Sequence, residues 1–371
     1  MVLAADELKK AGRFDSFLLI LIFLLTAIGL INLYSALGYW GDSGNFSPFW
    51  SQFIWVGIGV LLMFFLAFFD YRLIEKIAVP IYVLSILLLV GVLFFGKEVA
   101  GHKSWLGVGS IGIQPSEFAK LALVIILSKH FSGSPHPQAV ALLEMWKPIL
   151  YSVIPTILVV LQGDLGSAMF FVLIFGTYAW FGRLKGKWVA ILILGALLGS
   201  IFLYFFGLSD YQRARFTVFM DPTADSRGTG YHLIQSRIAV GSGRWIGRGY
   251  LKGNINKLKY LPEKHTDFIF PVLAEEWGFV GCCVTLTLYL LLFISGIDVA
   301  KRSRDRTGLF LALGIVAFIF WHVVINLGGV LGLMPLTGVT LPFLSYGGSS
   351  TIITLSSMGI LLSISMKRFL F

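Results

Sequence analysis

Residues 17–36 read FLLILIFLLTAIGLINLYSA, twenty positions without a charge, and Lys9, Lys10 and Arg13 precede them. A bilayer core takes about 20 apolar residues of helix, so this stretch is long enough to cross one. No small-residue cleavage site follows, and the run exceeds the apolar core of a secretory leader, so it reads as an uncleaved first span. The same measure along the chain gives Phe53–Phe69, Ile77–Phe95 and a shorter run from about Glu117 to Leu127. Ile149–Phe181, at about 33 residues, is too long for one span. Gln162-Gly163-Asp164-Leu165-Gly166 interrupts it, and two glycines beside a carboxylate predict a tight turn between two helices. Trp188–Phe206, Phe270–Ile297, Leu309–Leu331 and Thr351–Met366 bring the expectation to ten spans.

Composition agrees with that reading. Of 371 residues, 57% are hydrophobic and only 13% are charged, with a mean hydropathy of +0.85. A soluble domain carries about 25% charged residues, so there is too little polar surface here to cover a globule. The expectation is an all-α polytopic membrane protein forming one integral membrane domain over residues 1–371. Cys282 and Cys283 are the only cysteines and are adjacent in an apolar run, which excludes a disulfide scaffold.

The net charge of +10 follows the positive-inside rule. With the amino terminus in the cytoplasm, sixteen of the 29 basic residues fall in cytoplasmic segments, whereas the short outer loops hold only Lys97 and Lys103. Both termini are then expected in the cytoplasm, with the chain crossing its membrane several times. Ten further basic residues lie in one long extracytoplasmic loop between the seventh and eighth spans, about 207–269, against five acidic ones. That surplus suits an anionic lipid phosphate or diphosphate at the outer surface better than nucleic acid, which is not expected as a partner. The loop is expected to fold against the bundle as a mobile gate over an outer cavity.

Charges close to hydrocarbon are costly and mark function by default. Glu117 and Lys120 open the fourth span at i,i+3 spacing on one helix face. They read either as a self-satisfied ion pair or as a cation facing a polar cavity. Asp164 at the turn suits an Asx turn as well as a ligand. Glu263, Lys264, His265 and Asp267 crowd into five positions before the eighth span, where apolar neighbours and cations pull the Asp267 carboxyl in opposite directions, as befits a general base. His322 and Asn326 within the ninth span read as helix-packing hydrogen bonders. The Gly- and Pro-rich stretch 333–350 reads as a structured, partly re-entrant loop. There is no His-Glu-x-x-His, no Gly-x-Ser-x-Gly and no P-loop, and no organic cofactor is expected.

In order along the chain, these segments resemble the SEDS (shape, elongation, division and sporulation) membrane glycosyltransferases. The matching pieces are Trp105 with Gln114-Pro115-Ser116-Glu117 and Lys120, the 162–166 turn, Asp221-Pro222 with Gly230-Tyr231, and Gln235-Ser236. They continue through residues 261–270 and Pro342-Phe343-Leu344-Ser345-Tyr346-Gly347-Gly348-Ser349-Ser350. Tyr211-Gln212-Arg213 and residues 238–243 look most like the elongation type, with the division and sporulation types as alternatives. Two departures stand out. Gly163 replaces a usual proline, which would loosen the turn at Asp164, and Lys103-Ser104 replaces a usual arginine before Trp105.

The resemblance implies a ten-span, multi-pass enzyme of the bacterial inner (plasma) membrane that polymerises lipid II, the undecaprenyl-diphosphate-linked disaccharide pentapeptide, into glycan strands. It implies Asp267 as the essential residue, acting as base or as ligand of a divalent cation (Mg or Mn). Lys103, Lys120, Arg213 and Arg215 become candidate diphosphate partners, and Glu117 and Asp164 orienting groups or metal ligands. Trp105, Gln235, Ser236, Glu263, His265 and Ser345 are the remaining candidate substrate contacts. It also implies a class B penicillin-binding protein as partner, beside membrane lipids. A lipid II flippase or a non-catalytic scaffold are the competing readings. The flippase would need a polar path across spans that carry almost no charge.

Overall fold

The computed structural model describes residues 15–37, 47–99, 102–108, 111–133, 145–182, parts of 186–199, 210–222, 229–253 and 265–367. In chain order these form α1 (Ser16–Ala36), α2 (Ser47–Phe68), a short α3 (Tyr71–Lys76) and α4 (Ala78–Phe95). Strands β1 (Lys97–Val99), β2 (His102–Val108) and β3 (Ile111–Ile113) follow, then α5 (Pro115–Gly133), α6 (Trp146–Leu161) and α7 (Leu165–Phe181). The chain continues with α8 (Asp210–Met220), α9 (Thr229–Ser242), α10 (Ile269–Lys301), α11 (Arg306–Leu331) and α12 (Gly348–Lys367). Six of these helices are long and apolar enough to cross a membrane: α1, α2, α4, α10, α11 and α12. The expected seventh span, Trp188–Phe206, lies outside the described residues except for short helical pieces up to residue 199. The expectation of a purely helical chain needs one correction, because β1, β2 and β3 form a small antiparallel sheet in that order.

Scarce acidic residues punctuate the helices. Asp15 Oδ1 accepts from the Leu18 amide at 3.2 Å, Asp164 Oδ1 from Ser167 at 2.9 Å and Asp305 Oδ1 from Gly308 at 2.8 Å. Each is an N-cap that satisfies an otherwise orphaned backbone donor. The Asp164 cap ends the expected turn: Gly163 has φ 84°, and its amide donates to Val160 O at 2.9 Å. Proline, fixed near −65°, has no access to that conformation, so here the turn is a tight one built on glycine rather than a loosened proline turn.

Helices α5, α11 and α12 form the centre of the bundle. From Pro115 to Ser128 nearly every α5 residue is buried, and the most apolar stretches of α11 and α12 are mostly enclosed. By contrast, α2, α4 and α10 bury only a minority of their apolar residues, which leaves broad apolar faces for lipid.

The Phe270–Ile297 run, expected as one continuous helix, is broken. Gly278 within α10 has φ 64° and ψ −163°, a conformation open essentially to glycine alone. The amides of Phe279 and Val280 donate to Arg244 O and Trp245 O at 2.8 and 3.0 Å. In return, the Arg248 and Gly249 amides donate to Glu275 O and Glu276 O, both at 3.0 Å. Residues 243–249 therefore form a strap that satisfies the backbone of the broken span, as hydrocarbon requires. Glu276 Oε1 accepts from Ser35 Oγ at 2.5 Å, and Arg248 Nε lies 3.6 Å from Glu275 Oε1. Just beyond the strap, the Tyr250 hydroxyl donates to Ile31 O at 3.2 Å, and burial together with the nearby Glu276 carboxylate raises its pKa.

A side chain at residue 278 would put its Cβ 2.2 Å from Gly247 N. Gly278→Ala is thus expected to undock the strap and to cost about 1–3 kcal/mol from the backbone conformation alone. Thermal unfolding of the purified variant in detergent measures it, and an unchanged midpoint would refute the strap's contribution.

Helix α9 is docked as well. Ser236 Oγ donates to Val330 O at 2.7 Å, while Arg237 Nε and Nη2 donate to Leu331 O and Gly332 O at 3.2 and 2.9 Å. Three carbonyls at the end of α11 are capped in this way, next to the left-handed Gly332. The expected mobile loop is, over residues 229–253, a structure tied to both α10 and α11.

Candidate active site

Asp267 sits half-buried in the turn 265–268 that leads into α10. Three consecutive carbonyls of that turn are held from outside it. His265 O accepts from the Tyr346 amide at 2.9 Å, Thr266 O from Ser345 Oγ at 2.7 Å, and Asp267 O from Asn326 Nδ2 at 3.0 Å. Ser345 Oγ also accepts from the Leu341 amide at 2.8 Å, and Asn326 Nδ2 donates again to Val339 O at 2.6 Å. The His265 and Tyr346 rings lie 5.7 Å apart. Residues 339–347, which contain the positive-φ Phe343, are held in turn by Gln52, whose Oε1 accepts from the Gly347 amide at 3.0 Å. The Tyr289 hydroxyl donates to Pro342 O beside them.

One turn of α11 below Asn326 lies His322, about 6 Å along the helix axis. Its Nδ1 donates to Phe318 O at 2.8 Å, which leaves Nε2 to accept from Lys120 Nζ, also at 2.8 Å. Lys120 Nζ donates to Glu117 Oε1 at 2.6 Å and stands 4.5 Å from the Phe170 ring centre. The lysine is 0% exposed, so this ammonium is enclosed by a carboxylate, an imidazole and an aromatic face.

A second polar cluster surrounds Asp164. Its Oδ2 accepts from Gln114 Nε2 at 3.2 Å, and the Gln114 amide donates to Ser349 Oγ at 3.0 Å. Gln212 Nε2 donates to Gly163 O at 2.9 Å and so sets α8 against the turn, with Arg213 the next residue and half-buried. Strand β2 joins from the other side, since the Lys103 amide donates to Gln162 O at 3.2 Å. The Lys103 side chain is exposed and Trp105 half-buried. Residues 339–350 link the two clusters, holding the Asp267 turn through Ser345 and Tyr346 and the Asp164 side through Ser349.

Two further expected site residues donate to backbone carbonyls. The Ser236 and Ser345 hydroxyls donate to Val330 O and Thr266 O. Gln235 is half-buried on α9. Glu263 and the side chain of Arg215 are outside the described residues. His322 and Asn326, read from sequence as helix packers, prove to contact Lys120 and the Asp267 turn. Their i,i+4 spacing, which puts them on one face, was the available signal. Among the described residues, no three His, Cys, Asp or Glu side chains form a group able to hold a metal ion.

A family model described as Cell cycle protein (FtsW, RodA, SpoVE) matches residues 15–369. The chain is 38% identical over 352 residues to peptidoglycan glycosyltransferase MrdB of Escherichia coli (strain K12), covering 93% of each chain. It is 39% identical over 358 residues to stage V sporulation protein E of Bacillus subtilis (strain 168), covering 95% of this chain and 96% of that one. Among solved structures, one described as "Structural coordination of polymerization and crosslinking by a peptidoglycan synthase complex" matches with a TM-score of 0.81 at 30% identity, over 97% of this chain and 99% of that one. The rod shape determining protein RodA of Thermus thermophilus matches with a TM-score of 0.72 at 30% identity, over 96% and 98%. With the family's sequence pattern along almost its whole length and the family's fold around Asp267, this chain belongs to the FtsW, RodA and SpoVE family of membrane proteins.

Proposed function

We infer that this chain is a peptidoglycan glycosyltransferase that polymerises lipid II into glycan strands during cell elongation, with Asp267 as its general base. The observation that carries the assignment of the base is the clasp around residues 265–267, which holds a carboxylate at the edge of the bundle through its backbone. The reading is supported by relatives named as peptidoglycan glycosyltransferases at 38% and 31% identity.

In the proposed step, an acceptor sugar hydroxyl attacks the anomeric carbon of the donor. The bond from that carbon to the diphosphate oxygen breaks, and the diphosphate leaves with the electron pair. The hydroxyl proton passes to the Asp267 carboxylate, and attack opposite the leaving group inverts the α-donor to a β-link. The departing diphosphate needs cations. Lys103, on the strand beside the Asp164 turn, and Arg213 and Arg215, on the helix that Gln212 docks there, supply them. Lys120, enclosed by Glu117 and His322, is the fixed cation beneath the base.

The proposal includes ten spans in a single membrane domain with cytoplasmic termini, and chemistry on the outer face. A class B penicillin-binding protein is its transpeptidase partner, in keeping with a structural neighbour described as a complex that coordinates polymerization and crosslinking. Sporulation and division relatives, at 39% and 36% identity, match as well as the elongation type does. Complementation separates these roles. Expressed in a rod-shaped bacterium depleted of its own elongation polymerase, the chain is expected to restore rods. Rescue of a division mutant instead, with cells left round, would reassign it.

A further inference from the structure

The bonds around Asp267 constrain more than the fold. The direction of a Cα–Cβ bond is set by the two peptide planes that flank it. For Asp267 these are the plane carrying Thr266 O, bonded by Ser345 Oγ at 2.7 Å, and the plane carrying Asp267 O, bonded by Asn326 Nδ2 at 3.0 Å. Both backbone rotations at the Asp267 Cα are therefore restrained by groups outside its own turn. The two donors come from separate elements, Asn326 from α11 and Ser345 from the segment before α12. Asn326 also donates to Val339 O at 2.6 Å, which locks those elements to each other.

Asn326 is 4% exposed, and its Oδ1 is buried with no hydrogen-bond partner among the described residues. An unpaired buried acceptor costs stability that an apolar residue of similar volume would not. Packing alone gives no reason for an amide at this place, whereas its two donated bonds do.

We propose that Asn326 is a positioning residue for the reaction, aiming the Asp267 carboxylate by fixing the peptide plane on its carbonyl side, with Ser345 fixing the plane on the other. The inference rests on Asp267 being the base. A base displaced by about 1 Å loses on the order of a hundredfold in rate, while lipid II, which neither donor needs to touch, binds as before.

The experiment measures kcat and KM for lipid II polymerisation by purified full-length wild type, Asn326→Ala, Ser345→Ala and Asp267→Asn, each checked for thermal unfolding. Asn326→Ala is expected to lower kcat by about a hundredfold with KM within about threefold of wild type. Ser345→Ala, which frees the other plane, should show the same split and stands in for Asn326→Ala should that variant not fold. A wild-type kcat in a folded Asn326→Ala protein overturns the proposal, as does a KM that rises while kcat holds, because that marks a substrate contact. If Asp267→Asn is inactive and Asn326→Ala fully active, positioning alone fails. If Asp267→Asn is itself active, the base assignment fails and the positioning role with it.

Discussion

Replacing Asp267 with asparagine is expected to slow glycan polymerisation by about 10²- to 10⁴-fold, the range that a positioned general base supplies, while the protein stays folded. The bonds that hold the 265–267 turn run through backbone carbonyls to Tyr346, Ser345 and Asn326, and asparagine keeps every one of those carbonyls. It fills nearly the same volume but carries no negative charge and takes no proton. An unaltered unfolding midpoint beside a collapsed rate is the expected pair of results. A variant that loses rate and fold together would show that the carboxylate is structural.

The second large effect concerns Lys120. Its ammonium is 0% exposed and donates to both Glu117 Oε1 and His322 Nε2, so Lys120→Met leaves the Glu117 carboxylate buried without its cation. Removing one partner of a buried pair costs about 3–5 kcal/mol, whereas replacing both by neutral groups is often close to neutral. The single variant is expected to unfold at a clearly lower temperature, and Glu117→Gln with Lys120→Met to return most of the loss. Wild-type stability in the single variant would mean that the ammonium reaches solvent or substrate in the working protein.

How much of this was legible in the sequence follows from the range of the interactions. The turn at Gly163 and Asp164 was readable because glycine, carboxylate and helix start are neighbours, and their chemistry is local. The six helices long and apolar enough to cross a membrane were readable because hydrophobic length is additive along the chain. The break at Gly278 was not, since one glycine in an apolar helix is ordinary, and its cause lies about 30 residues earlier, in a strap whose carbonyls accept from Phe279 and Val280. Three short strands in residues 97–113 escaped for a similar reason, being too short to show an alternation.

At the site, the residue types were readable and their partners were not. Ser236 and Ser345 were legible as candidate substrate contacts, but not the carbonyls 94 and 79 positions away to which their hydroxyls donate. His322 and Asn326 suggested packing, and they connect Lys120 with the Asp267 turn. Spacing along a helix shows which side chains share a face, but what the face meets is decided by tertiary packing.

The most direct test of the central claim is polymerisation of labelled lipid II by the purified chain, alone and with a transpeptidase partner whose crosslinking site is blocked, wild type against Asp267→Asn. The account predicts glycan strands from the wild-type protein in at least the partnered reaction, and a rate at least about a hundredfold lower from the variant in both. Strands of equal yield from both proteins would contradict it, because the polymerising carboxylate would then lie outside this chain's Asp267 turn.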